Sequence, residues 1–209
     1  MKKFLVAIMA VLFSAPSFAQ YSSGGFTLSE STVYYGMRLG LNVSNLTGDT
    51  DAFKGAKAGL NFAGVIGIRV SESTPIFLES GLYFTQKGCS KEKNNYVNLN
   101  YLEIPILLKY GIQVADEIAV LPFIGPTFSY GIGGKMKGGD GADKEDSFGS
   151  NKYSRGDVGI KLGCGAEYNK LYLEAGYQFG VTNIADWKIA NNDASVHNGA
   201  LFINLGVNF

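Results

Sequence analysis

Eight charged side chains stand out because each falls in a stretch where apolar residues recur at every second position: Arg38, Arg69, Lys109 and Lys161, with Glu79, Glu103, Glu167 and Glu174. Four positive and four negative charges in such settings predict a mutually neutralising cluster, since a charge in a tight interior must be paired or solvated. Two roles fit: a polar pore or gate of exchangeable ion pairs, or a plug that holds a shape. The plug is favoured, because narrow barrel interiors are generally filled by side chains. Glu79 and Glu103 lie on consecutive segments, a placement open to acid–base work, but no nucleophile or cleft accompanies them.

Other reactive types are sparse. His197 is the sole histidine, and Ser195, Asp193 and Asp186 near it are the one possible Ser-His-Asp set. All four read as residues of a solvated loop, and no catalytic residue is assigned. Gly138-Gly139-Asp140-Gly141-Ala142-Asp143 opens like a calcium nonapeptide, yet that motif needs stacked copies and an apolar residue where Glu145 stands. Asp140, Asp143, Glu145 and Asp146 therefore read as a solvated acidic loop, with no metal or cofactor expected. Cys89 falls at the start of a polar stretch and Cys164 on an apolar face, so the two thiols are expected to stay unpaired.

The elements that must position these residues follow from the period of two. Apolar residues alternate with small or polar ones in eight segments, at about 33–44, 58–70, 76–87, 97–111, 119–133, 155–168, 171–180 and 200–209. The fifth is the least regular, because of Pro122 and Pro126. With 28 glycines and 13% aromatics in 209 residues, the chain is too glycine-rich for a helical bundle. Eighteen basic and 18 acidic side chains cancel, which argues against a nucleic-acid partner.

Alternation alone does not separate a membrane barrel, apolar outside, from a soluble barrel, apolar inside. Three features decide for the membrane. One face of every segment is free of charge, whereas Lys or Arg at mid-bilayer costs roughly 2–4 kcal/mol. The connections at 45–57, 88–96, 134–154 and 182–198 are long and polar and alternate with short ones at 71–75, 112–118 and 169–170, the external and periplasmic pattern of outer-membrane barrels. Outward aromatics gather at segment ends: Tyr35, Tyr110, Tyr168 and Phe209 at one rim, Phe84, Tyr130 and Phe179 at the other. Residues 1–19 open with Lys2 and Lys3, run apolar from Phe4 to Phe13 and close on Ser17-Phe18-Ala19, as a cleavable signal peptide does.

The sequence thus predicts an all-β, eight-stranded, antiparallel, up-and-down transmembrane β-barrel of outer-membrane type over residues 20–209, in a Gram-negative bacterium. It resembles the PorT-like family of small outer-membrane barrels. The block Tyr101-Leu102-Glu103-Ile104-Pro105-Ile106-Leu107-Leu108-Lys109-Tyr110 is similar to that family's fourth-strand signature. Supporting blocks are Pro122-Phe123-Ile124-Gly125-Pro126, Asp157-Val158-Gly159-Ile160, Gly163-Cys164-Gly165, Leu173-Glu174-Ala175-Gly176-Tyr177 and Gly180-Val181-Thr182-Asn183-Ile184. Phe209, after alternating apolar residues, is similar to the signal read by the barrel-assembly machinery. The resemblance implies the eight-stranded membrane barrel and no activity; an accessory role in protein secretion is an alternative suggested by that likeness alone. The expected function is a non-catalytic structural or surface-interaction role through the external loops, the alternative being a narrow passive channel. The expected partners are outer-membrane lipid, the assembly machinery and an extracellular or secretion-system protein.

Overall fold

The computed structural model describes residues 33–49, 55–71, 73–92, 95–115, 117–139, 142–189 and 192–209; the expected signal peptide, residues 1–19, lies outside them. Eight long strands carry the alternation: β1 (Val33–Gly48), β2 (Lys57–Arg69), β3 (Ile76–Glu92), β4 (Asn95–Tyr110), β5 (Ile118–Gly133), β6 (Gly156–Tyr168), β7 (Leu171–Gly180) and β8 (Val196–Asn208). Each pairs antiparallel with the next, and β8 pairs with β1, so the sheet closes on itself. Closure satisfies every ladder group, which matters in hydrocarbon, where an unsatisfied backbone polar group costs several kcal/mol. Phe209 helps to seal the seam: its amide and carbonyl exchange hydrogen bonds with Tyr35 at 2.7 and 3.2 Å.

The register sets the bore. Tracing paired residues from Ala119 through Glu167, Tyr172, Gly206, Arg38, Ala63, Tyr83 and Glu103 returns to β5 at Ser129, ten residues further on. A shear of this size goes with strands tilted by roughly 35–45°, and eight strands leave an interior wide enough only for side chains. The register path passes through three of the charges in question, Glu167, Arg38 and Glu103, because inward positions of neighbouring strands stack beside one another.

The outward face is apolar, with Leu39, Leu171, Leu205 and Phe209 each more than 60% exposed. Such a surface is stable only against lipid. Tyr35, Tyr110, Tyr168 and Phe209 line the rim of the short links, and Tyr130 and Phe179 the opposite one, all exposed, as interfacial girdles require. The tightest short link is residues 169–170, where Asn169 takes the left-handed φ of 58° that asparagine tolerates. β5 runs unbroken through Pro122 and Pro126, but its ladder with β4 is interrupted between Pro105–Thr127 and Leu108–Ile124, beside Pro126, and shifts register at Asn100/Tyr101.

Several boundaries differ from those expected. The 88–96 stretch is not a loop, since β3 runs to Glu92 and β4 starts at Asn95. Beyond the lipid the pleat continues but the polarity of its faces inverts: Leu46, Cys89, Val97, Leu99 and Val196 point inward and are buried, while Asn98 and Asn100 face outward. The strand wall now stands in water, so its polar face turns out, and the polar residues read as a loop are the outer side of a strand. Cys89 accordingly sits on β3, inward, whereas Cys164 is exposed on β6. The 134–154 stretch holds two short strands, Lys135–Gly138 paired with β4 and Glu145–Asp146 paired with the first. The 182–198 stretch holds another two, Lys188–Ile189 and Asn192–Asp193, and gives its last residues to β8. On the other side, Ile112–Ala115 continues β4 past Gly111 and pairs with β5, so the 112–118 link shortens.

Two measurements check this arrangement. Ile203→Arg, on the lipid face of β8, is predicted to cost about 2–4 kcal/mol in a denaturant titration in phospholipid vesicles; an unchanged midpoint would put Ile203 off the membrane. Non-reducing mass spectrometry should find Cys89 and Cys164 both free, because one points into the barrel and the other out of its wall; a bridge between them would break the register.

Candidate functional site

The inward pleat builds two ionic layers separated by aromatic rings. In the layer nearer the short links, Glu79 accepts the Tyr34 hydroxyl at 2.7 Å and pairs with Lys109 at 2.8 Å and Arg38 at 3.4 Å. Lys109 also donates to the Tyr172 hydroxyl at 2.8 Å and lies 3.8 Å from Glu174. Glu174 in turn accepts from Asn204 at 2.8 Å. Arg38 lies 4.1 Å above the Tyr172 ring and Lys109 4.6 Å from it, contacts worth about 0.5–2 kcal/mol each and more when desolvated. Glu167 is buried at the edge of this layer and accepts from Asn208 at 2.5 Å.

The layer nearer the exterior centres on Glu103. Its carboxylate takes Lys161 at 2.9 Å, Lys87 at 3.0 Å, the Ser129 hydroxyl at 3.0 Å and the Gln178 amide at 2.8 Å. Lys87 lies 3.8 Å from Asp157, which accepts from Asn198 at 2.8 Å. Between the layers lie Tyr83, Phe123 and Phe202; the two phenylalanines stack with centroids 6.4 Å apart. Lys161 lies 4.6 Å from the Tyr83 ring and 4.9 Å from Phe202. Every charge in the layers is thus buried, and each but Glu167 meets an opposite charge, which is the condition for tolerating it; Glu167 has, among the described residues, the Asn208 amide alone.

Six of the eight charges singled out by their spacing meet in ion pairs here: Arg38, Glu79, Lys109 and Glu174 in one layer, Glu103 and Lys161 in the other. Glu167 joins through Asn208. Arg69 lies apart from both layers, half-buried at the rim with its Nε donating to the Ser71 carbonyl at 2.8 Å, because it ends β2 where the barrel opens. Lys87 and Asp157 complete the outer layer and were not singled out. Their signal was the same alternation: both lie inside the expected segments 76–87 and 155–168, at the parity of Thr85 and Gly159. Glu79 and Glu103 sit in different layers, each saturated by its own cations, so they form no acid–base pair.

The external mouth is closed by apolar packing. Phe148, Tyr153 and Ile184 from the third and fourth external connections fold onto Leu46, Cys89, Val97, Leu99 and Tyr101 of the wall. Trp187 caps them, its ring edge-on to Tyr153 at 5.1 Å. Hydrogen bonds tie the cap down: Ser147 Oγ to the Asn98 carbonyl at 2.8 Å, and the Ser154 amide to the Ile184 carbonyl at 2.7 Å. Burial in this cap pushes the Tyr153 hydroxyl above its ordinary range.

The remaining candidates resolve differently from their sequence reading. His197 is on β8, not in a loop; its Nδ1 faces the Thr182 carbonyl at 3.0 Å and its Nε2 the Ser195 hydroxyl at 3.1 Å. The carboxylate that meets this segment is Asp49, which accepts from the Ser195 amide at 3.1 Å, rather than Asp186 or Asp193. The contacts hold three chain segments together at the rim. Asp140 lies outside the described residues. Glu145 pairs with Lys152 at 3.0 Å and Asp146 with Lys135 at 2.5 Å, and the Lys135 ammonium holds the Asp146 carboxyl below its usual range. Among the described residues no group of three or more His, Cys, Asp or Glu is placed to hold a metal.

A closed eight-stranded barrel with an apolar outside and a charge-paired inside is the geometry of a small outer-membrane protein, and the sequence agrees over most of its length: residues 18–186 match the model of the outer membrane protein beta-barrel domain. The chain belongs to that family. It is therefore a protein of the Gram-negative outer membrane. No match emerges among curated proteins. Similar solved structures include Neisserial surface protein A, 16% identical with 87% of this chain and 100% of that one covered at a TM-score of 0.47. The attachment invasion locus protein Ail of Yersinia pestis is 12% identical, with 85% and 99% covered at 0.43. The N-terminal barrel of Pseudomonas aeruginosa OprF is 9% identical, with 86% and 100% covered at 0.41. At such identity and overlap no ligand or partner carries over from them.

Removing Glu103 tests the outer layer. Glu103→Gln strips the buried Lys161 ammonium of its counter-charge, leaves Lys87 with only the more distant Asp157, and should destabilise the barrel by about 3–5 kcal/mol, read from the unfolding midpoint in detergent. Lys188→Ala, which loses only an exposed pair with Asp193, should leave that midpoint unchanged. Equal effects would mean the lumen charges are hydrated.

Proposed function

We propose that this protein is a non-catalytic barrel of the outer membrane whose role is structural or surface-interacting, exercised through the connections above the external rim. One observation carries the reading: the lumen is occupied by two charge-paired layers and an aromatic layer, beneath an apolar cap. A barrel so filled offers no continuous path along its axis, and its lateral surface is committed to lipid. The water-facing surface left for a partner is the outside of the cap and the strand extensions around it. Exposed Asp143, Lys144, Lys188 and Asp193 give that surface both signs of charge.

A narrower version of the same role, an accessory to protein secretion, is supported by the likeness of Tyr101–Tyr110 and the other blocks to the PorT-like family. The strand fold adds a reason for that block to be retained as a unit, since it supplies Glu103 to one layer and Lys109 to the other. The channel alternative is opposed by the filled interior.

Planar-bilayer recording separates these readings. The purified barrel should add no discrete conductance steps, and reproducible steps of porin size would overturn the closed lumen. Chemical cross-linking on intact cells should capture an outside or envelope protein partner, with capture lost when Asp143, Lys144 and Lys188 are reversed in charge. Capture that is unaffected by those reversals would move the interaction surface elsewhere.

A further inference from the structure

The two ionic layers do not touch through protein atoms alone. From the periplasmic side, hydrogen bonds climb from Glu174 to Asn204, from Asn204 to Asn61 at 3.2 Å, and from Asn61 to Thr85 and Asn42 at 2.5 and 3.0 Å. From the exterior, bonds descend from Asp157 and Lys87 to Glu103, Lys161 and Gln178. Where the two sets approach, a cavity of about 10 Å³ opens, with Asn42, Asn61 and Thr85 on one wall and Glu103, Lys161 and Gln178 on the other. Its volume is close to the roughly 10–15 Å³ that a single water takes up on this measure.

Two of the lining residues also carry a buried polar atom left over. Tyr83 lines it, is 1% exposed, and its hydroxyl meets no hydrogen-bonding partner among the described residues; the same holds for Oδ1 of Asn42, 2% exposed. Burying a hydroxyl or an amide oxygen without a partner costs about 1–3 kcal/mol, and buried waters typically serve such groups with two to four bonds. A dry cavity is apolar, and this one is walled mainly by amides, hydroxyls and ions, with Ala200 and Phe202 as its apolar side.

We propose that this cavity is a binding site for one structural water, which takes the free hydroxyl of Tyr83 and joins the inner and outer ionic layers into a single hydrogen-bonded column along the barrel axis. A site for one water is not a conducting path, since Phe123, Phe202 and the apolar cap bound the column. The water is held as part of the wall's interior, exchanging on the timescale of local opening rather than of diffusion.

Ala200 gives a test whose sign depends on the water. Ala200→Val projects a larger group into the cavity. If a water is bound, the variant expels it and strands the Tyr83 hydroxyl, so the unfolding midpoint in detergent falls; if the cavity is dry, filling it raises the midpoint. Overpacking would also lower it, and Tyr83→Phe in the same background separates the two. With the hydroxyl gone, a loss caused by expelled water is largely recovered, whereas a steric loss persists and would overturn the proposal. Independently, solid-state NMR of the unaltered barrel in lipid should show a water-edited cross-peak to the Tyr83 ring that Ala200→Val abolishes. Absence of that peak in the unaltered barrel would also overturn it. Neither result depends on whether bilayers show conductance steps.

Discussion

Everything in this barrel answers to one constraint: a charge inside a lipid-embedded cylinder has no bulk water to turn to, so its partners must come from other strands of the wall, neighbouring or across the lumen. Glu103 draws donors from β3, β5, β6 and β7, and Glu79 from β1 and β4. Each such contact fixes the rotation of one strand relative to others across the lumen. The register tracing a shear of ten residues is the backbone side of the same fact, since a slip of one residue in any strand would turn that strand's lumen charges to lipid. Aromatic rings between the layers screen the two sets from each other and give the ammonium and guanidinium groups π-faces in place of solvent.

The fold was legible because two solvents act on the two faces of each strand. Apolar residues at alternate positions, glycine and paired charges between them, and aromatic ends are direct consequences of lipid outside and a crowded lumen inside. What was not legible lies where one of those solvents changes. Above the bilayer the outside is water, so Gln86, Asn98 and Asn100 face out and Val97 and Leu99 face in. A reading that expects the apolar side to be the outer one loses the strand there. Cys89 fell into that gap, whereas Lys87 and Asp157 lie within the expected segments, at the parity of Thr85 and Gly159, and were passed over there.

The candidate site was legible in composition and not in connectivity. Opposite charges at matching parity announced a neutralised interior, but spacing along a strand carries no information about which wall residue stands opposite across the axis. Arg69 shows the limit: it has the right parity and ends at the rim. The cap was hidden for a different reason, because Phe148, Tyr153, Ile184 and Trp187 come from irregular segments with no period to read, and their burial depends on a mouth that only the closed barrel creates.

The two-layered lumen bears on how such a chain enters a membrane. No pair of neighbouring strands holds a complete layer: the Glu79, Lys109 and Glu174 set spans β3, β4 and β7, and the Lys87, Glu103, Asp157 and Lys161 set spans β3, β4 and β6. Strands delivered singly would drag naked ions into oil. Insertion must instead keep these groups hydrated in a half-open, water-lined sheet until the β1–β8 seam shuts, and dehydration of the lumen is then the last event of biogenesis rather than an early one.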